Sequence, residues 1–194
     1  MEIRNNMNNI INEIRKCGER IDGKDSKKLM NVILKSRKIF VTGAGRSGLA
    51  GKAFAMRLMH LGILVYVVGE TTTPSIEKND LLIAISGSGE TKGILEIVKA
   101  ARSRKAKVAL ITYNRNSEIG KLSDVVIELE GTFPKNKYAD HVIRQVMGED
   151  RKIAPLGTIF ELTSMIFLDA IIIELMKINN KSEQEMKKRH ANLE

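Results

Sequence analysis

Apolar residues recur through the first part of the chain at helical intervals: Ile3, Met7, Ile10, Ile11, Ile14 and Ile21, then Leu29, Met30, Ile33 and Leu34. Spacings of three and four residues place side chains on one helical face, so the pattern predicts helices over 2–22 and 26–36. From residue 38 the period changes. Short continuous apolar runs at 38–42, 63–68, 81–85, 107–112 and 124–129 alternate with helical stretches at 47–61, 90–103 and 117–122. Runs without polar alternation suit strands covered on both faces, as in a parallel sheet between helices. Pro155-Leu156-Gly157 then introduces a longer helix over 158–178, apolar on every side, whose burial extends beyond one domain face and implies a subunit interface. Ser182 and Glu185 form a capping box that opens a last short helix, ending near Arg189-His190.

The order of elements predicts an α/β fold: a three-layer αβα sandwich around a five-stranded parallel sheet of flavodoxin-like order 2-1-3-4-5. N-terminal helices precede the sheet and a long C-terminal helix follows it. We read 1–194 as a single domain, with N-terminal helices over 1–36, the sheet core over 37–130, a variable insertion over 131–154 and C-terminal helices over 155–194. The insertion is basic and irregular, with one short helical stretch over 138–147.

Composition narrows the partners. The formal net charge is +9, but the 32 Lys and Arg residues are scattered, aromatics make up 4% and Trp is absent. That leaves little material for a base-stacking platform, so no nucleic acid partner is expected. No apolar stretch is long enough to span a membrane, and the first residues lack the apolar core of a signal peptide. Cys17 is alone, which excludes an intramolecular disulfide. The reading is a cytoplasmic protein without a membrane partner. Three His and one Cys, with no carboxylate–histidine cluster, predict no metal and no other cofactor.

The chemistry concentrates in two loops, Gly43-Ala44-Gly45-Arg46-Ser47-Gly48 and Ser86-Gly87-Ser88-Gly89-Glu90-Thr91. Each follows an apolar run and opens a helix, where exposed N–H groups and the helix dipole seat an anion. In the expected strand order they follow adjacent strands at the point where the order reverses, which is where ligands of such sheets bind. Ser47, Ser86, Ser88 and Thr91, with the N–H groups of 87–91, are therefore candidate phosphate ligands. The plainer alternative is that they cap helices. Gly43-x-Gly45-x-x-Gly48 also matches the dinucleotide-binding fingerprint, with Glu70 ending the second strand. The second cradle, the polar Arg46-Ser47 pair and the lack of hydride-transfer residues count against that use.

The stretches 41–48 and 85–91 resemble the two signature loops of the sugar isomerase (SIS) domain family. Residues 54–62, 69–75, 155–161 and 189–193 narrow the resemblance to the branch that interconverts 3-hexulose 6-phosphate and fructose 6-phosphate. It spans nearly the whole chain, apart from a longer stretch at 131–152. The resemblance implies an isomerase working through an enediol, a sugar phosphate as ligand, and a homo-oligomer, specifically a tetramer. It also implies Glu161 as the catalytic base and His190 as a second catalytic group, acting in its own or a neighbouring subunit's site. On local pattern alone Thr158-x-x-Glu161 reads as a capping box, and His190 as a histidine meeting a helix C-terminus. Arg46 is a candidate for balancing enediolate charge and Glu90 for substrate contact, while His60 and His141 receive no role. Two other functions remain in play: an isomerase of the arabinose 5-phosphate type and a sugar-phosphate-binding regulator.

Overall fold

A computed structural model describes residues 2–129, 157–190 and 192. Helices α1 (Glu2–Gly18) and α2 (Gly23–Lys35) precede β1 (Ile39–Gly43), α3 (Gly45–His60) and β2 (Val65–Val67). Then come β3 (Leu81–Ile85), α4 (Lys92–Ser103), β4 (Lys107–Thr112), α5 (Glu118–Leu122) and β5 (Val125–Glu128). Two helices close the chain, α6 (Thr158–Ile178) and α7 (Glu183–Lys187). The strands form one parallel sheet in the order β2-β1-β3-β4-β5, as the alternation of runs predicts. The stretch at 131–154, its expected helix and His141 lie outside the described residues.

The central strand shows why the sheet is parallel. All five residues of β3 are buried, because helices cover both faces and leave no position for a polar side chain. On one face Ile39, Val41, Ile83 and Ile111 pack against Leu29 and Ile33 of α2, Phe54 and Leu58 of α3, and Phe167 and Leu168 of α6. On the other, Phe40, Leu82, Ala84 and Leu110 pack against Ile94, Leu95 and Val98 of α4 and Ile119 of α5. Each such aliphatic side chain contributes about 1.5–3 kcal/mol by leaving water. None of the described helices is long and apolar enough to cross a membrane.

Several boundaries move from their expected places, α1 ending at Gly18 and α3 starting at Gly45 among them, and two of the shifts have a clear local cause. Helix α4 begins at Lys92 rather than residue 90, because Glu90 belongs to the turn. Strand β2 spans only Val65–Val67, since positive φ at Gly69 and the bond from Glu70 N–H to the Val67 carbonyl end it early. Long helix α6 buries Phe160, Phe167, Leu168, Ile171, Ile172 and Leu175 but leaves Met165, Ile166 and Ile173 exposed. Leu49, Met56 and Met59 of α3 are exposed too.

An ionic tie fastens α2 to the β5 edge of the sheet. Arg115 donates to Asp25 at 2.6 Å, to Glu128 at 3.2 Å and to the Val126 carbonyl at 3.1 Å. Burial alone would raise the Asp25 carboxyl, but hydrogen bonds from Lys28 and Arg115, with their charges, outweigh it and hold its pKa below 3.8. A depressed carboxylate contributes stability in full above its unfolded value, and that share is lost as pH falls through the folded value. Asp25→Asn should therefore cost about 1–3 kcal/mol at neutral pH and flatten the loss of stability below about pH 4, measured by urea unfolding across pH.

Candidate functional site

Register decides where the two glycine loops stand. Gly43 of β1 pairs with Ile85 of β3, so both loops leave the sheet at one level on adjacent strands. This is the point where the strand order reverses, β2 lying to one side of β1 and β3 to the other. The first loop turns tightly: a Cβ on Gly48 would lie 2.6 Å from the Gly43 carbonyl oxygen. Helix α3 begins within it, at Gly45.

The second loop is bolted to the strand beside it. The buried Thr112 hydroxyl donates to the Gly87 carbonyl at 2.7 Å and accepts from Asn114 N–H at 3.0 Å. Tyr113 N–H also donates to Gly87 oxygen at 3.0 Å, and the Asn114 amide donates to the Ser88 carbonyl at 3.4 Å. Gly89 turns with φ +67°, and a Cβ there would lie 2.0 Å from the Ser117 hydroxyl. The sequence reading missed these supports; their trace is the polar turn 112–117 directly after an apolar strand.

Within the loop the donors divide. Gly89 N–H bonds the Ser86 carbonyl at 3.1 Å and Glu90 N–H bonds the Ser88 hydroxyl at 3.2 Å. The N–H groups of Gly87, Ser88 and Thr91 make no hydrogen bond to the described residues. The Ser86 and Thr91 hydroxyls pair at 3.1 Å, and Ser47 is half-buried in the first turn of α3. Glu90 points elsewhere: its carboxylate accepts from Glu118 N–H at 2.9 Å, at the start of α5.

Capping separates the helices into two groups. Asp22, Ser117 and Ser182 accept from the first turns of α2, α5 and α7. The N-caps of α3, α4 and α6 are Ala44, Thr91 and Gly157, and none makes a side-chain cap bond. Those uncapped helices are the ones that begin around the loops. Thr91 thus does not cap its helix, and the capping-box reading of Thr158-x-x-Glu161 fails, since Gly157 is the N-cap. The Glu161 carboxylate instead pairs with the Arg46 guanidinium of the first loop. The Glu161 side chain is 17% exposed and the Arg46 side chain 58%. An ion pair with a partner that wet is weak enough to open for an anion.

His190 lies elsewhere in the chain. Its ring stacks on His60 with centroids 5.2 Å apart, at the C-terminal end of α3. A 16-residue helix spans about 24 Å, so one chain does not bring His190 to Glu161. Burial, with the charges of His190 and Arg57, holds the His60 imidazole below its ordinary value. Glu70 pairs with Lys52 at 2.7 Å.

The fold and site define an α/β protein with two glycine loops side by side at the switch point of a parallel sheet, and the Glu161 carboxylate paired to the first of them. The chain belongs to the SIS domain family, whose model matches residues 32–132. It is 41% identical over 185 residues to the 3-hexulose-6-phosphate isomerase of Bacillus subtilis, covering 95% of each chain. It is 46% identical over 165 residues to the enzyme of that name from Methanocaldococcus jannaschii, covering 85% of this chain and 82% of that one. A crystal structure from Methanococcus jannaschii, from which a 3-hexulose-6-phosphate isomerase function was inferred, matches with a TM-score of 0.79 at 41% identity over the whole of both chains.

The bolted loop makes a stability test. Gly89→Ala should cost about 1–3 kcal/mol and lower Tm by roughly 3–10 °C, because both its φ and Ser117 oppose a side chain. Gly93→Ala, on the exposed face of α4 with open space around it, should raise stability by about 0.5–1 kcal/mol in the same calorimetric scan.

Proposed function

We propose that this chain is a ketose-phosphate isomerase interconverting 3-hexulose 6-phosphate and fructose 6-phosphate. One observation carries the reading. Three helices begin around one crevice without side-chain caps, two of them behind glycine loops and the third presenting Glu161. The names of the relatives support the substrate; the uncapped helix starts and the Glu161 carboxylate among them support an anion seat with a base beside it.

The phosphate sits on the N–H groups of Gly87, Ser88 and Thr91, with hydroxyls from Ser47, Ser86, Ser88 and Thr91. Charged acceptors strengthen such bonds, and the α3 and α4 dipoles add to them. The sugar then extends toward Glu161. Glu161 takes the proton from C2 while the C3 oxygen gains one, which gives a 2,3-enediol. Returning a proton to C3 while the C2 hydroxyl loses its own leaves the carbonyl at C2, and no atom is gained or lost. One carboxylate serves both carbon transfers. Arg46 swings from Glu161 to the developing oxyanion, a move its exposure permits.

His190 belongs to the reverse direction. With its C6 oxygen esterified, 3-hexulose 6-phosphate closes no five-membered ring to C3, whereas fructose 6-phosphate cyclises through O5 and must be opened. His190 assists that opening from a neighbouring subunit, since its own chain holds it at the opposite edge of the sheet. The exposed apolar residues of α3 and α6 support association of copies, which we read as a tetramer. A freely diffusing sugar phosphate as substrate supports reading the enzyme as cytoplasmic.

A coupled assay supplying 3-hexulose 6-phosphate and detecting fructose 6-phosphate tests the proposal, and turnover should survive EDTA. Glu161→Gln should lower kcat by about 10²–10⁴-fold with KM little changed; near-normal kcat would remove the base. Ser88→Ala and Thr91→Val should each raise KM by roughly 10-fold, as expected for one bond to a charged group. Unchanged KM in both variants would move the phosphate elsewhere. His190→Ala should slow fructose 6-phosphate more than the hexulose, and equal losses in initial rates would count against its role.

A further inference from the structure

The tip of the second loop carries a contact that neither phosphate binding nor proton transfer requires by itself. A Cβ on Gly87 would lie 2.8 Å from Tyr113 Cε1 and 3.2 Å from Phe160 Cδ1, so two aromatic rings rest directly on this backbone. The rings meet edge to face, centroids 5.7 Å apart at 87°. Tyr113 follows β4 and is tied to Gly87 through its own N–H at 3.0 Å. Phe160 is buried in the first turn of α6, one residue before Glu161, and its carbonyl accepts from the Ser164 hydroxyl at 2.7 Å. One contact therefore joins the phosphate loop, the end of β4 and the helix that carries the carboxylate.

Glu161 needs such a support. Its partner Arg46 is more than half exposed, so the ion pair fixes the carboxylate poorly. A proton shuttle loses roughly 100-fold when misplaced by about 1 Å. Aromatic rings in edge-to-face contact are stiff, and here a glycine lets them approach the loop closely. Resting on the isomerase reading above, we propose that Tyr113 and Phe160 form a wedge that sets the distance between the phosphate loop and Glu161, as positioning residues for proton transfer.

The test compares wild type with Phe160→Leu, Tyr113→Leu and Tyr113→Phe, using 3-hexulose 6-phosphate as substrate and inorganic phosphate as competitive inhibitor. Both Leu variants should lose about 10–100-fold in kcat, with KM and the phosphate inhibition constant within about 2-fold of wild type. The loop keeps its bonds from Thr112, Asn114 and Tyr113 N–H in those variants, so binding survives. Tyr113→Phe retains the ring and should keep kcat within about 2-fold. Tyr113 is half-buried, which preserves the test should Phe160→Leu not fold. Wild-type kcat in a folded Leu variant overturns the wedge, as does a parallel rise in KM and the inhibition constant, or a Tyr113→Phe loss equal to that of Tyr113→Leu. A wild-type protein inactive on the hexulose overturns the isomerase reading instead.

Discussion

The Thr112 hydroxyl is the point on which the site depends. It is fully buried at the end of β4 and spends its proton on the Gly87 carbonyl and a lone pair on Asn114 N–H. A buried hydroxyl without partners costs about 1–3 kcal/mol, so this group is committed to holding the loop down. The loop's carbonyls thereby turn toward the sheet. Its N–H groups at Gly87, Ser88 and Thr91 are left without an acceptor among the described residues. Polarity at the crevice is thus decided by which side of each peptide the neighbouring strand captures.

Much of the fold was legible because parallel sheets write themselves plainly. Continuous apolar runs such as Leu81–Ile85 and Lys107–Thr112 match β3 and β4 residue for residue, since both faces of those strands are covered. The long helix over 158–178 was equally plain, being bounded by glycine and by Asn179. The site was legible only in part. Thr158-x-x-Glu161 has the spacing of a capping box, and local pattern cannot tell a cap from a functional carboxylate. What the structure adds is the pairing of Glu161 with Arg46, far away in sequence and adjacent only after the sheet forms. Glu90 shows the same limit, since its carboxylate serves α5, a helix that its own neighbourhood does not announce.

The parallel course of α3 and α6 imposes a further division. Both begin at the loop edge, where Arg46 meets Glu161, and α3 ends where His60 stacks on His190. The chain thus presents two chemically distinct ends about 24 Å apart, one carrying the glycine loops with the Arg46–Glu161 pair and one carrying paired imidazoles. Folding alone does not join them, because each is fixed by helices whose buried faces pack on the same sheet. A histidine that contributes to the chemistry must therefore arrive from a second copy whose opposite edge meets this crevice. Apolar residues left bare on these two helices, Leu49, Met56, Ile166 and Ile173 among them, are the surface that a copy would cover. Under the proposed isomerase chemistry the proton shuttle would be complete within one chain, and only ring opening would depend on assembly.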